Sequence, residues 1–232
     1  MAVALILSGG TGTRLGMNMP KQYIVINERS VISYCIEQFA HHERIDSIQV
    51  VAAEQWHKMI FSCFESYGGC EKFRGFSQPG ENRQLSIYNG LEDIRKYATD
   101  SDAVIIHDAA RPLLSTQMIT DSLNAVKDHD GVLPVLPMKD TVYRSIDGKG
   151  INALLNRSEI YAGQAPETFR FGPYYEANKR LLPEKIKTIN GSTEPAVLAG
   201  MDIVMIPGDE GNFKITTRED LQRFGEMIAQ RK

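Results

Sequence analysis

The segment that decides the fold is AVALILSGGTGTRLG, residues 2–16. Its first six residues, Ala2 to Leu7, are apolar and predict a buried β-strand. The glycines that follow let the backbone approach a ligand closely, and successive N–H groups in such a loop can bind phosphate oxygens. Arg14 and Lys21 add two positive charges beside this loop. The segment therefore predicts a first strand that ends in an anion-binding turn.

The residues after this turn disfavour two other nucleotide-binding folds. Pro20 argues against a long helix directly after the glycines, which a dinucleotide-binding βαβ unit requires. No Gly-Lys-Ser or Gly-Lys-Thr ending exists, so a P-loop NTPase is disfavoured as well. A nicotinamide-dependent oxidoreductase would use the same glycines and contact the ribose through Glu54, and it stays an alternative that Pro20 weakens.

Strand and helix patterns alternate along the first half of the chain. The strand-like runs are residues 47–52, 73–76 and 103–107, and the helical patterns are residues 31–40, 59–67, 85–97 and 115–126. This alternation predicts βαβ units, and hence an α/β fold with a mostly parallel sheet and helices on both faces. We expect one domain over residues 1–232, because no linker or repeat divides the sequence.

Composition excludes several classes of protein. With 42% hydrophobic and 24% charged residues and a formal net charge of -3, the chain is globular and has no overall attraction for nucleic acid or anionic lipid. The apolar run at residues 2–7 is too short for a membrane span and no basic segment precedes it. Three cysteines and five histidines show neither a disulfide pattern nor metal-ligand spacing. We expect free thiols and a cytoplasmic protein with no nucleic-acid or membrane partner.

A second signal lies at residues 107–112, His-Asp-Ala-Ala-Arg-Pro, where the predicted strand 103–107 ends. In open α/β sheets ligands bind at the carboxyl edge of the strands, so Asp108 and Arg111 are well placed for a substrate. The alternative is a surface ion pair, which would contribute little energy. His107 alone is more typical of a packed, hydrogen-bonded histidine than of a general base.

A third signal is Lys214, within residues 212–217, Asn-Phe-Lys-Ile-Thr-Thr. We expect this segment to end a strand directly before a helix that Thr217 caps, with Asp220 in its first turn. Taken alone, Lys214 would be a solvated lysine. The core is completed by a predicted helix at 174–182 and a predicted strand at 202–206.

The pattern changes after Gly131. Strand-like residues 132–137 and 140–145 are followed by turn residues and by a further short run at 151–155. We interpret residues 138–160 as a protruding hairpin arm. A two-stranded ribbon is marginal in water, so the arm should pack on something else, such as a second subunit.

Several segments together carry a resemblance to one family. The segments are residues 8–14 with 20–23, Gly80 with Arg83 and Ser86, residues 107–112, Asp140-Thr141, Arg157 and residues 212–216. In this order, over nearly the whole chain, they resemble the cytidylyltransferases that act on polyol phosphates. The resemblance implies a Rossmann-like nucleotidyltransferase fold, a homodimer joined by the arm, and transfer of CMP from CTP to a polyol phosphate with release of pyrophosphate. It also implies Mg²⁺, bound mainly through the CTP phosphates, for which no protein ligand is assigned.

By matching position, the resemblance implies three groups of site residues. The catalytic cations would be Arg14, Lys21 and Lys214. The nucleotide would be bound by Ser8, Gly9, Gly10, Thr11, Gly12, Thr13, Gly80, Arg83, Ser86 and Ala109. The acceptor would be bound by Asp108 and Arg111 of one subunit, together with Thr141 and Arg157 on the arm of the other.

The acceptor is left open by departures from the family pattern. Residues 164–167, Gln-Ala-Pro-Glu, and residues 192–195, Ser-Thr-Glu-Pro, differ from the pattern in segments that the family uses on its acceptor side. The candidates are 2-C-methyl-D-erythritol 4-phosphate, ribitol 5-phosphate and glycerol phosphate, so the pathway would be isoprenoid or cell-surface polymer synthesis. Two further alternatives are a sugar-1-phosphate or molybdopterin-type nucleotidylyltransferase and a non-catalytic module that binds a cytidine nucleotide.

Overall fold

A computed structural model describes residues 1–10 and 19–230 of the chain. Four of the predicted site residues, Thr11, Gly12, Thr13 and Arg14, lie outside the described residues.

Short strands and helices alternate along the described chain. The strands are β1 (Ala2–Leu7), β2 (Val25–Ile26), β3 (Arg29–Ser30), β4 (Ser47–Val51), β5 (Phe73–Ser77), β6 (Ala103–Asp108), β7 (Gly131–Pro137), β8 (Tyr143–Arg144), β9 (Ala153–Leu154), β10 (Tyr161–Gly163), β11 (Glu167–Arg170) and β12 (Ile203–Pro207). The helices are α1 (Val31–His41), α2 (His57–Tyr67), α3 (Arg83–Ile94), α4 (Thr116–Ala125), α5 (Phe171–Lys179), α6 (Glu194–Leu198) and α7 (Arg218–Ala229).

Within the described residues, eight strands form one mixed sheet: seven follow the order β10-β7-β11-β6-β1-β4-β5, and the eighth, β12, pairs with β7 in parallel outside this path. The central pairs β6–β1, β1–β4 and β4–β5 are parallel, whereas β11 runs antiparallel to both β6 and β7. Leu7 is in register with Asp108 of β6 and with Val51 of β4, so the carboxyl ends of three strands meet at one edge.

Helices cover both faces of this sheet because the side chains of β1 alternate between two hydrophobic clusters. Ala4 and Ile6 belong to a cluster with residues of α1, α2 and α4. Val3 and Leu5 belong to a second cluster with residues of α3 and α5. The predicted fold class, a mainly parallel sheet between two helical layers, is thereby confirmed.

Three local predictions differ from the structure. The sequence pattern predicts no strand at Tyr161–Gly163 or Glu167–Arg170, yet these residues form β10 and β11, which both pair with β7. Residues 212–217 do not end a strand: Ile215 N–H donates to the carbonyl of Ala110 at 2.8 Å, and the side chain packs against α1 and α7 instead of a sheet. The helix predicted at 174–182 begins earlier, as α5.

Two other local predictions, the helix cap at Thr217 and the free cysteines, are confirmed. Thr217 and Asp220 form a reciprocal capping box at the start of α7. Cys35, Cys63 and Cys70 are free thiols. No helix within residues 1–10 and 19–230 is long and apolar enough to cross a membrane.

The segment 138–160 projects a small two-stranded ribbon, β8 paired with β9. Four of its large apolar side chains are exposed: Tyr143, Ile146, Ile151 and Leu154. The guanidinium of Arg157 donates to the carbonyl of Lys139 at 2.6 Å, which joins the two ends of the segment.

Candidate active site at the carboxyl edge of the sheet

The loop after β1 lies against the loop after β5. A Cβ added to Gly9 would come within 2.9 Å of the Cβ of Pro79, so the close approach of these loops requires glycine. Gly10 is exposed. The Ser8 hydroxyl is buried and donates to the hydroxyl of Tyr23 at 2.8 Å, so this predicted nucleotide contact points its side chain inward.

The loop that carries Gly80 turns tightly onto the first turn of α3. Gly80 N–H donates to the hydroxyl of Ser86 at 2.9 Å, and a Cβ on Gly80 would lie 2.7 Å from the carbonyl carbon of Leu85. Asn82 caps the helix by accepting the N–H of Leu85 at 2.8 Å. This geometry places Arg83, the first residue of α3, toward the edge of β6.

Asp108, the last residue of β6, is the centre of an ion cluster. Its Oδ1 accepts hydrogen bonds from Nε and Nη2 of Arg83, both at 3.2 Å. Its Oδ2 accepts from the ammonium of Lys214 at 2.9 Å and lies 3.9 Å from Nε of Arg111. Four predicted site residues, which come from β6, the turn after β6, α3 and the 212–217 segment, therefore meet at one point.

Electrostatics keep the carboxylate of Asp108 ionised. Burial alone would raise its pKa, but the charges of Arg83 and Lys214 outweigh burial and hold the pKa far below its ordinary value. The buried Asp108 therefore remains negative across the physiological range, and it holds the side chains of Arg83 and Lys214 at the end of β6.

A second buried carboxylate, Glu167 at the start of β11, supports Arg83 from the other side. Nη1 of Arg83 donates to the hydroxyl of Ser192 at 2.6 Å, and that hydroxyl donates to Oε1 of Glu167 at 2.6 Å. Thr193 donates to Oε2, also at 2.6 Å. Burial raises the pKa of Glu167, although Arg83 and the two hydroxyl donors oppose the shift.

Sequence reasoning placed Glu167 and Ser192 only in segments that depart from a family pattern, and it assigned neither a role. The sequence pattern alone does not distinguish a buried glutamate from an exposed one. Only the antiparallel pairing of β11 with β6, which puts Glu167 opposite Ile106, brings it beside Arg83.

His107 is fully buried beside the cluster, and the side chain of Arg111 is 13% exposed. Nη1 of Arg111 donates to the carbonyl of Asn212 at 2.6 Å, while its buried Nε has no hydrogen-bond partner among the described residues. Nε2 of His107 bonds to the carbonyl of Arg111 at 3.0 Å, and burial lowers the pKa of His107 to about 4. His107 is therefore a neutral, packed side chain, which agrees with the sequence analysis.

The other predicted residues have different surroundings. Lys21 is half-buried at the start of a helical turn, Lys21–Tyr23. This turn follows residues 8–16, which we call the glycine loop. Ala109 is buried and its N–H donates to the carbonyl of Leu7 at 3.0 Å. Thr141 and Arg157 are exposed on the 138–160 segment, and the ion cluster contains neither of them.

Comparison with known proteins identifies the family to which this chain belongs. The family model described as IspD: 2-C-methyl-D-erythritol 4-phosphate cytidylyltransferase matches residues 2–230. The chain belongs to this family. It is an enzyme of the nucleotidyltransferase class, a cytidylyltransferase.

Relatives of this cytidylyltransferase cover nearly the whole chain. It is 33% identical to ribitol-5-phosphate cytidylyltransferase of Streptococcus pneumoniae serotype 2 (strain D39 / NCTC 7466), over 98% of this chain and 99% of that protein. Its fold is similar to that of 4-diphosphocytidyl-2C-methyl-D-erythritol synthase from Anaerococcus prevotii DSM 20548, with a TM-score of 0.83 and 24% identity over 99% and 96% of the two chains. The Francisella tularensis 2-C-methyl-D-erythritol 4-phosphate cytidylyltransferase gives a TM-score of 0.81 at 23% identity, over 97% of this chain and 98% of that one.

Proposed function

We propose that this cytidylyltransferase transfers CMP from CTP to ribitol 5-phosphate, giving CDP-ribitol and pyrophosphate. The observation that carries the reaction is the ion cluster of Arg83, Asp108 and Lys214 beside the glycine loop, in a chain that belongs to the family. The choice of acceptor rests on the full-length relative at 33% identity, which is a ribitol-5-phosphate enzyme. Neither a sugar-1-phosphate transferase nor a dinucleotide oxidoreductase is favoured by these comparisons.

The reaction is a displacement at the α-phosphorus of CTP. An oxygen of the acceptor phosphate forms the new bond, and the bond to the β-phosphate oxygen breaks as pyrophosphate leaves. Negative charge concentrates on the α-phosphate in the transition state. Fixed cations at Arg14, Lys21 and Lys214 would oppose that charge.

This mechanism needs no general base, because the acceptor phosphate is already a nucleophilic anion at neutral pH. The geometry agrees with this requirement. His107, the histidine next to Asp108, is fully buried and its pKa is lowered to about 4, so it is not available for proton transfer.

We propose that Mg²⁺ enters with the nucleotide. Among the described residues no three His, Cys, Asp or Glu side chains lie together as a metal site. Both oxygens of Asp108 already accept hydrogen bonds from cationic side chains. Phosphate oxygens and water would therefore supply most ligands, with Asp108 as the nearest carboxylate, and the ion would neutralise part of the triphosphate charge.

We further propose a homodimer in which the 138–160 arm completes the site of the other subunit. The exposed apolar side chains of the arm support this proposal, because they need a surface to cover them. In such a dimer Thr141 and Arg157 of one subunit would bind the acceptor held by Asp108 and Arg111 of the other.

The free thiols of all three cysteines support our further proposal of a reducing, cytoplasmic location.

The dimer proposal predicts that Ile151→Asp, on the arm, will convert the protein to a monomer in light scattering after size exclusion. Turnover should fall by at least about tenfold, since one charged contact to the acceptor phosphate is lost. Met205→Asp introduces the same charge at another exposed apolar position, on β12, and should leave the mass and the rate unchanged. An Ile151→Asp protein with the parental mass would refute the arm as the dimer contact.

Pyrophosphate release tests the function as a whole. We expect release with CTP and ribitol 5-phosphate, and much slower release with 2-C-methyl-D-erythritol 4-phosphate, with glycerol 3-phosphate, or when UTP replaces CTP. Preference for the methylerythritol acceptor would contradict the proposed substrate while keeping the reaction. No release from CTP with any of the three acceptors would contradict both.

A further inference from the structure

Gln22 is a buried side chain that contacts the glycine loop through backbone oxygens. Its Nε2 donates to the carbonyl of Ser8 at 2.9 Å and to the carbonyl of Gly10 at 2.8 Å. The side chain is only 3% exposed. The reaction described above assigns it no role.

The next residue reinforces this arrangement. The hydroxyl of Tyr23 donates to the same Ser8 carbonyl at 2.9 Å, and the Tyr23 ring is fully buried and stacked on Trp56 with centroids 4.2 Å apart. Tyr23 N–H donates to the carbonyl of Pro20 at 2.9 Å. The donors are therefore held in place by packing that does not depend on a ligand.

These contacts fix the direction of the loop's peptide groups. In a trans peptide the N–H and the carbonyl point in opposite directions. Because the Ser8 carbonyl points toward Gln22, the N–H of Gly9 in the same peptide points away from Gln22. Among the described residues, no acceptor receives the N–H of Gly9 or Gly10. A phosphate on the side of the loop opposite Gln22 would therefore meet N–H donors. The carbonyl oxygens, which would repel a phosphate, point toward Gln22.

We infer that Gln22 is a positioning residue for the triphosphate of CTP: it binds the carbonyl oxygens of the glycine loop and so presents the loop's N–H groups to the phosphates. The inference rests on the proposed function. It assigns to Gln22 a contribution to phosphate affinity that is separate from the transition-state contribution of its neighbour Lys21.

The test uses Gln22→Met in the full chain, a substitution of similar length without donors. The KM for CTP and the inhibition constant of pyrophosphate should each rise by about tenfold, since charged hydrogen bonds are weakened, while kcat at saturating CTP stays within about twofold. The affinity for cytidine, which has no phosphate, should not change. Gln22→Asn keeps the amide but shortens its reach, and should give a smaller shift of the same kind if the methionine variant does not fold.

Tyr23→Phe is the matched control. It removes one donor to the Ser8 carbonyl and keeps both Gln22 contacts, so its effect should be smaller than that of Gln22→Met. The inference is overturned if Gln22→Met lowers kcat alone, if cytidine affinity falls by the same factor as pyrophosphate affinity, or if nothing changes. Failure of the parental protein to release pyrophosphate from CTP would instead refute the proposed function.

Discussion

Replacing Lys214 by methionine should lower kcat by on the order of 10²-fold to 10³-fold and leave the KM for CTP within about threefold. The reason is that a cation aimed at the α-phosphate matters most when charge accumulates there, in the transition state. Lys214 is suited to this role because Asp108 holds its ammonium at 2.9 Å while 36% of its side chain stays exposed. Steady-state rates of pyrophosphate release at varied CTP measure both constants.

Lys96→Met is the matched control for this prediction. Lys96 pairs with Asp93 at 2.6 Å near the far end of α3, and its side chain is 73% exposed. The control should leave both constants unchanged. Equal losses of kcat and CTP affinity in Lys214→Met would favour a protein that binds the nucleotide without a role for Lys214 in turnover.

The second large effect is expected from Asp108→Asn. Removing this charge leaves Arg83, Arg111 and Lys214 facing one another without their shared carboxylate. Loss of one partner from a buried ion pair costs about 3–5 kcal/mol, which is a large part of the roughly 5–15 kcal/mol that stabilises a domain. We expect a decrease of about 3 kcal/mol in the free energy of unfolding, measured with urea, together with loss of activity.

The pH dependence of this stability difference shows whether the ionised carboxylate of Asp108 stabilises or destabilises the fold. The pKa of Asp108 is lowered in the folded protein, so the carboxylate stabilises the fold fully above the ordinary aspartate pKa of about 3.9 and progressively less as the pH falls below it. The gap between the parental protein and Asp108→Asn should be constant between about pH 5 and pH 8 and shrink toward about pH 3. Asp108 is the smallest of the causes that shift the pKa of Glu167, so most of that shift is present in both proteins and cancels in the difference. A gap that widens on acidification would show that Asp108 does not stabilise the fold as an anion.

The carboxyl-edge site could be predicted because it depends on strand ends. Leu7 and Asp108 end neighbouring parallel strands, and each is followed by polar or glycine residues that the sequence shows plainly. A short apolar run before glycines and another before His-Asp are enough to place both loops at one edge. Lys214 was singled out by its motif, although its local structure was wrongly predicted as a strand.

The parts that could not be predicted depend on contacts between distant segments. Phe213 and Ile215 suggest strand alternation, but they fill a cluster beside Val31 and Phe224. β11 has four residues, too few for a periodic pattern, and its Glu167 is unlike a typical buried strand residue. The role of Gln22 could not be predicted either, because only the folded chain brings its amide within hydrogen-bond distance of two carbonyl oxygens.

The central claim is that Arg14, Lys21 and Lys214 surround one triphosphate beside the glycine loop. A crystal structure of the protein with Mg²⁺ and a non-hydrolysable CTP analogue tests this claim most directly. We predict that all three side chains lie within about 4 Å of phosphate oxygens, the distance of an ion pair. A complex in which the phosphates bind elsewhere, or in which Lys214 remains on Asp108 and distant from them, would contradict the account.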